Sequence, residues 1–251
     1  LSLAALLFFL VAVDDGIVKS VASGVFNTRI GPDRLPEMYS WIAILFSATM
    51  VLLSWLTARL ARQRFVFLLF AVLAGWLSLN AVLLWSTEKG GAAILGTGFY
   101  PFLFVSSELI RNVAGFQVWI VAGGICYTSR AKVLFPLLAA STTLGDIGGG
   151  FLVRATGPLL DSFQLYGLAA VNMVVAILVL RPLMRRYFVT PVGAADAASA
   201  SLRENLRYFA GSSYLRILFV LSLVLFALYT AIHYAFNVVA REHFPSEGEI
   251  T

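Results

Sequence analysis

The stretch FLVAVDDGIVKSVASGVF, residues 9–26, decides the fold class. Apart from Asp14, Asp15 and Lys19 it is a run suited to hydrocarbon, and about 20 such residues in a helix cross a bilayer core. Ionisable side chains within a membrane helix are costly against lipid, so they face a bundle interior or an aqueous cavity and mark function. The whole chain has the same character. Of its 251 residues 60% are hydrophobic and only 12% are charged, with a mean hydropathy of +0.88. A water-facing surface needs about a quarter charged residues, so the chain is expected to be an integral membrane protein.

Outward from that stretch, seven segments are long and apolar enough to read as membrane helices: 2–27, 36–57, 65–85, 100–126, 133–154, 162–183 and 214–239. Their separators carry the breakers of loops, as in RIGPDRLPE and RATGPLLDS. Strands are excluded because a membrane barrel alternates over about ten residues, whereas these runs are longer and apolar on every face. The chain has a single cysteine, Cys126, which rules out a disulfide framework. No signal-peptide cleavage pattern follows the first segment.

Loop charge sets an expected orientation. Loops after the second, fourth and sixth spans hold eleven basic residues (Arg59, Arg62, Arg64, Arg130, Lys132, Arg181, Arg185, Arg186, Arg203, Arg207 and Arg216). The other loops hold five: Arg29, Arg34, Lys89, Arg154 and Arg241. Basic loops stay in the cytoplasm, which places the amino terminus there, in the inner (plasma) membrane of a bacterium. The net charge of +5 follows from the same retention, and nucleic acid is not expected as a partner.

Three regions are expected. Residues 1–186 form a six-helix transmembrane bundle, and 187–213 a cytoplasmic linker with a short amphipathic helix. Residues 214–251 form the first helix of a second bundle and an outer loop. In the linker Ser201 and Glu204 fit a capping box, and Leu202, Leu206 and Phe209 share a face opposite basic residues. Six spans, a linker and another outward span are the layout of a transporter built from two six-helix halves, here truncated from twelve helices. A short internal repeat agrees with it. FNTRIGPDRLPE follows the first span and FNVVAREHFPSEGE the seventh, both passing from Phe-Asn through arginine to a proline-acidic turn.

The charged residues supply the candidate site. Asp15 and Lys19 stand four apart on one face of their helix and can pair, while Asp14 lies about 100° around it. Glu108 and Arg111 are three apart, with Asn112 beside them. Asp146 sits next to the small-xxx-small pair Gly145 and Gly149, which admits a close helix neighbour. At ~1.5 Å per residue, Asp14, Asp15 and Asp146 lie ~18–21 Å from the cytoplasmic ends and Lys19 ~24 Å, while Arg111 is ~15 Å from the outer end of its helix. The three helices therefore offer their charges at a shared depth. Lys19, Arg111, Glu108 and Asn112 are expected to bind substrate or gate it, and Asp14, Asp15 and Asp146 to form ion pairs or couple protons. Tyr229, His233 and Asn237, each four apart, give the seventh span a polar face.

Enzyme chemistry finds no support. There is no GxxxxGK[ST] loop, HExxH, CxxC or GxSxG, and no cofactor is expected. A receptor would place its amino terminus outside, against the loop charges. Its retinal type needs a lysine in the seventh span, and 214–239 has none.

The stretch SSELIRNVAGFQVW (106–119), with SRAKVLFPLLAASTTLGDIGGG (129–150), resembles helices 4 and 5 of the nucleotide (ATP/ADP-type) translocases. Glu108 falls on that family's acidic position, Trp119 on its aromatic one, and Ala131, Lys132, Phe135, Pro136 and Leu137 on its inter-helix loop. Lys19, followed by RIGPDRLPEMY, looks like its helix-1 lysine and the turn after it, and VVAREHFPSEGEI looks like the close of its seventh helix. The resemblance implies a fold similar to the major facilitator superfamily, with alternating access. It also implies Lys19 as a phosphate contact and Glu108 as a transport-critical carboxylate. The chain departs from the pattern at Gly16, Ser20 and Arg130, and Asp14 and Asp15 set two extra acids beside the lysine. The resulting expectation is a secondary active transporter for an anionic metabolite such as a nucleotide. The alternative is a transporter-like membrane domain that anchors or senses for a fused soluble domain.

Overall fold

A computed structural model describes residues 2–89, 96–125, 128–187 and 202–243. Among them are eight α-helices and no strand: α1 (Ser2–Arg29), α2 (Leu35–Arg59), α3 (Arg62–Lys89), α4 (Phe99–Ile125), α5 (Thr128–Thr156), α6 (Ser162–Tyr187), the short α7 (Leu202–Gly211) and α8 (Ser213–His243). The seven long helices fall on the seven predicted segments and overrun most of them by a few residues, because helices continue past the apolar run until a breaker stops them. At the end of α1 the backbone N–H groups of Ile30 and Gly31 both close on the Phe26 carbonyl. Gly31 then turns into the left-handed region at φ 105°, and Pro32 blocks further helix.

Four helices are long and apolar enough to cross a membrane by themselves: α2 with its preceding turn, α3, α6 and α8. The chain is thus an all-α membrane protein. The sequence reading expected seven spans. The remaining three, α1, α4 and α5, have 28, 27 and 29 residues, which is length enough. They fall short on composition, and they are the helices that carry Asp14, Asp15 and Lys19, Glu108 and Arg111, and Asp146. Apolarity is required of a helix face that meets lipid, and most of α1 is covered by its neighbours.

α1 is the centre of the bundle. It packs on α5, α6 and α4, while α3 pairs with α6 on the far side and α2 lies against α4. The closest contact is with α5. A Cβ on Gly145 would run into the Phe9 carbonyl and the Ala12 methyl, and one on Gly149 into the Val13 carbonyl. From the other side, a Cβ on Gly16 would meet the Asp146 carbonyl and the backbone of Gly149 and Gly150. Small residues let helix backbones approach this closely in a membrane, where packing rather than the hydrophobic effect drives association. The Gly145/Gly149 pair was legible in the sequence. Gly16, noted there only as a departure from a family pattern, is the third glycine of the same seam.

Elsewhere, buried polar side chains pair between helices. Ser107 and Tyr166 hydroxyls are 2.6 Å apart, Asn80 donates to Ser106 at 3.2 Å, and Gln117 donates to the Val66 carbonyl at 3.0 Å. The linker's capping pair, Ser201 and Glu204, and the side chains of Leu202 and Leu206 lie outside the description. Of the expected amphipathic face, Phe209 is described, and its ring meets Phe219 of α8 edge-on at 5.6 Å.

Candidate functional site

The helix-1 charges separate onto different neighbours. Asp14, only 3% exposed, turns to α6. Its Oδ1 accepts from Asn172 Nδ2 at 2.8 Å, and the same amide donates to the Leu10 carbonyl. Its other oxygen is buried and has no hydrogen-bond partner among the described residues. This is the separation that the 100° step around the helix predicted, and Asn172 is the partner that spacing within α1 could not reveal.

Asp15 is a correction. It does not pair with Lys19 as the i, i+4 spacing allowed. It takes the Arg111 guanidinium on both oxygens, Nε at 2.7 Å and Nη2 at 3.2 Å, while Arg111 Nη1 pairs with Glu108. The reason is geometric. A guanidinium forks onto a carboxylate through two parallel bonds, and an ammonium offers a single point charge. All three side chains are largely withdrawn from solvent, with 12% of Arg111, 14% of Glu108 and 29% of Asp15 exposed, so the stronger bidentate pairing wins.

Lys19 is left to α8. Its Nζ donates to the Tyr229 hydroxyl at 3.2 Å and lies 5.5 Å from the centre of that ring. The expected polar face of α8 then continues toward its carboxyl end. Tyr229 stacks on His233, with rings 6.0 Å apart and 13° from parallel. His233 Nδ1 is 2.7 Å from the Tyr39 hydroxyl of α2. Asn237, buried at 2% exposure, accepts from Asn27 of α1. Tyr39 and Asn27 were missed as site residues. Tyr39 reads as an ordinary interfacial tyrosine, whereas Asn27 carried a signal as half of the repeated Phe-Asn.

Two cavities meet at the ion cluster. One of about 350 Å³ is lined by Asp14, Asp15, Arg111, Asn112, Trp119 and Asp146 among others. The other, about 610 Å³, lies between α1, α5 and α8 and is lined by Lys19, Ser20, Ser23, Tyr229, His233 and Asn237. Asp15, Arg111 and Asp146 line both, so the cluster is the partition. Asp146 thus faces Asp15 and Arg111 in both cavities and Lys19 in the larger one. Asn112 keeps its amide on its own helix, donating to the Glu108 carbonyl at 2.7 Å. Trp119, on the family-like aromatic position, packs between Phe8 and Phe135, with ring centres at 5.2 and 5.8 Å.

No family model, curated protein or solved structure matches this chain.

The site therefore speaks through its geometry alone. Among the described residues no group of three or more His, Cys, Asp or Glu side chains is placed to hold a metal ion. What the arrangement offers is a cluster of charge inside the helix bundle, two cavities separated by an ion cluster, and a helix attached along one polar face.

The attachment has a register of its own. Lys19 meets Tyr229 and Asn27 meets Asn237, and both pairs are 210 residues apart. The repeated Phe-Asn, at 26–27 and 236–237, has the same offset. The contact is also confined to one end of α8. Every residue from Arg216 to Tyr229 is exposed, while His233 and Val238 are partly covered and Asn237 is buried.

Proposed function

We propose that the chain is the amino-terminal half, with the first helix of a second half, of a secondary active transporter of the major-facilitator type working by alternating access. The 210-residue register carries this reading. Where two parallel repeats are related by an axis along the membrane normal, equivalent residues of the two halves meet each other near that axis. Asn27 against Asn237 is such a self-complementary contact, and it joins the two copies of the one motif that repeats. The resemblance to nucleotide translocases points to the same layout.

The one-ended contact of α8 supports a particular state. α8 would be latched to α1 through Lys19–Tyr229 and Asn27–Asn237 at what the loop charges make the outer end, a contact that a carrier open to the inside would keep. Rocking of α8 against α1 would break the latch and open the other side. The solute would sit between the halves, its anionic group directed to Lys19, with the Asp15–Arg111–Glu108 cluster gating passage between the two cavities and Asp14 and Asp146 available for proton coupling. The amino terminus would lie in the cytoplasm, a side the loop charges support, with the bundle in a bacterial inner membrane.

Uptake into proteoliposomes tests the reading, using a panel of labelled nucleotides, organic anions and amino-acid-like zwitterions with and without a proton gradient. Transport that falls by at least tenfold in Lys19→Ala is expected. No movement of any solute, with Lys19→Ala indistinguishable from wild type, would leave an anchoring or sensing domain as the better description.

A further inference from the structure

The 610 Å³ cavity has a charge balance that narrows the solute. Arg111 brings its own counter-charges, Asp15 on its fork and Glu108 on Nη1, so it offers little to an incoming anion. Lys19 has no ion pair among the described residues and holds only the Tyr229 hydroxyl and ring. One turn further along α1, on the same face, Ser23 also lines this cavity, and its hydroxyl, tucked behind the cavity surface, has no hydrogen-bond partner among the described residues, so a small rotation would turn it toward a solute. Lys19 and Ser23 together form a donor pair for one carboxylate-sized group. Also lining the cavity, from α5, is Asp146, one of whose oxygens is buried and has no hydrogen-bond partner among the described residues. From α8 the cavity receives Tyr229, Ile232, His233, Phe236 and Asn237, with no fixed charge.

We propose that this cavity takes a small zwitterion, its anionic group on Lys19 and Ser23 and its cationic group on Asp146. A polyanion does not fit the balance. The lining sets Lys19 and Arg111 against Asp15 and Asp146, with Glu108 behind Arg111. A nucleoside triphosphate would bring three or four negative charges into a membrane-embedded site with no net positive charge, and uncompensated charge at that depth is strongly disfavoured. A zwitterion adds no net charge and meets Lys19, Ser23 and Asp146 with groups of matching kind. The parallel faces of Tyr229 and His233 give its apolar body a wall. The proposal rests on the transport reading and names the substrate class for the same cavity.

The test uses the full-length protein in proteoliposomes with four labelled probes in parallel: a mixture of neutral α-amino acids, glycine betaine, ATP and citrate. Binding to the detergent-purified protein is measured beside uptake. One of the zwitterion probes is expected to bind and move, and ATP and citrate to do neither. Lys19→Met and Asp146→Asn should each weaken zwitterion binding about tenfold or more. Asp146→Asn should also admit acetate, a monocarboxylate that the wild type excludes. That gain distinguishes a rebalanced site from a variant that merely misfolds. Uptake of ATP or citrate by the wild type would overturn the zwitterion while leaving the transport reading intact. Failure of every probe to bind or move would count against both.

Discussion

α1 is held on two sides by opposite chemistries. Against α5 the contact is dry backbone on backbone, with Gly16, Gly145 and Gly149 leaving no room for a methyl group. Against α8 it is a ladder of hydrogen bonds between side chains, Lys19 to Tyr229 and Asn27 to Asn237, with His233 holding Tyr39 beside them. The first kind of contact cannot slide without steric clash. The second can be exchanged for water or for other partners at small net cost, since interhelical hydrogen bonds in membranes average about 0.6 kcal/mol. The bundle should therefore move as one body with α1 and α5 locked, and α8 should be the element that changes place.

The comparison breaks most readily at the glycines. Gly149→Leu should cost about 3 kcal/mol or prevent assembly, seen as loss of a monodisperse peak and of the thermal transition. Gly150→Ala, one residue along, is expected to be near neutral, because a Cβ there meets nothing within 4 Å. If both substitutions behaved alike, the seam would not be the lock.

The ion cluster should rank next. Arg111→Ala leaves Asp15 and Glu108 facing each other without their cation, and removing one partner of a buried pair costs about 3–5 kcal/mol. Adding Asp15→Asn to that variant should restore part of the lost thermal stability. An unchanged melting temperature in the double variant relative to Arg111→Ala would mean that Asp15 draws little from the pairing.

The α8 ladder should respond in conformation rather than in folding. Asn237→Ala is expected to leave the melting temperature within a degree or two. It should also raise the labelling rate of Ser23→Cys from the outer side about fivefold, equivalent to ~1 kcal/mol in the latch. The smallest effect belongs to the exposed Lys89–Asp161 pair, 3.2 Å apart with both side chains about half exposed. Lys89→Ala should change stability by less than about 0.5 kcal/mol.

Residues that act within one helix were legible. The seven apolar runs, the 145/149 glycine pair, the Glu108–Arg111 spacing and the polar face at 229, 233 and 237 all follow from a 3.6-residue period, and each appears as a helix or a shared face. Choices between helices were not legible. The spacing of Asp15 and Lys19 is favourable within α1, but a neighbouring guanidinium outcompetes the lysine, and nothing in residues 9–26 announces Arg111. Asn172 and Tyr39 are ordinary polar residues on lipid-length helices until the fold sets them beside Asp14 and His233. The repeated Phe-Asn was the one long-range signal in the chain, and it marked the contact between α1 and α8.

The central claim, that α8 parts from α1 at that contact during transport, is tested most directly by tying the two together. Asn27→Cys and Asn237→Cys, combined with Cys126→Ser to remove the only native cysteine, should form a disulfide on mild oxidation. Uptake by the cross-linked protein should stop and return on reduction. Uptake at the uncross-linked rate with the disulfide formed would show that α1 and α8 need not part, and would contradict the account.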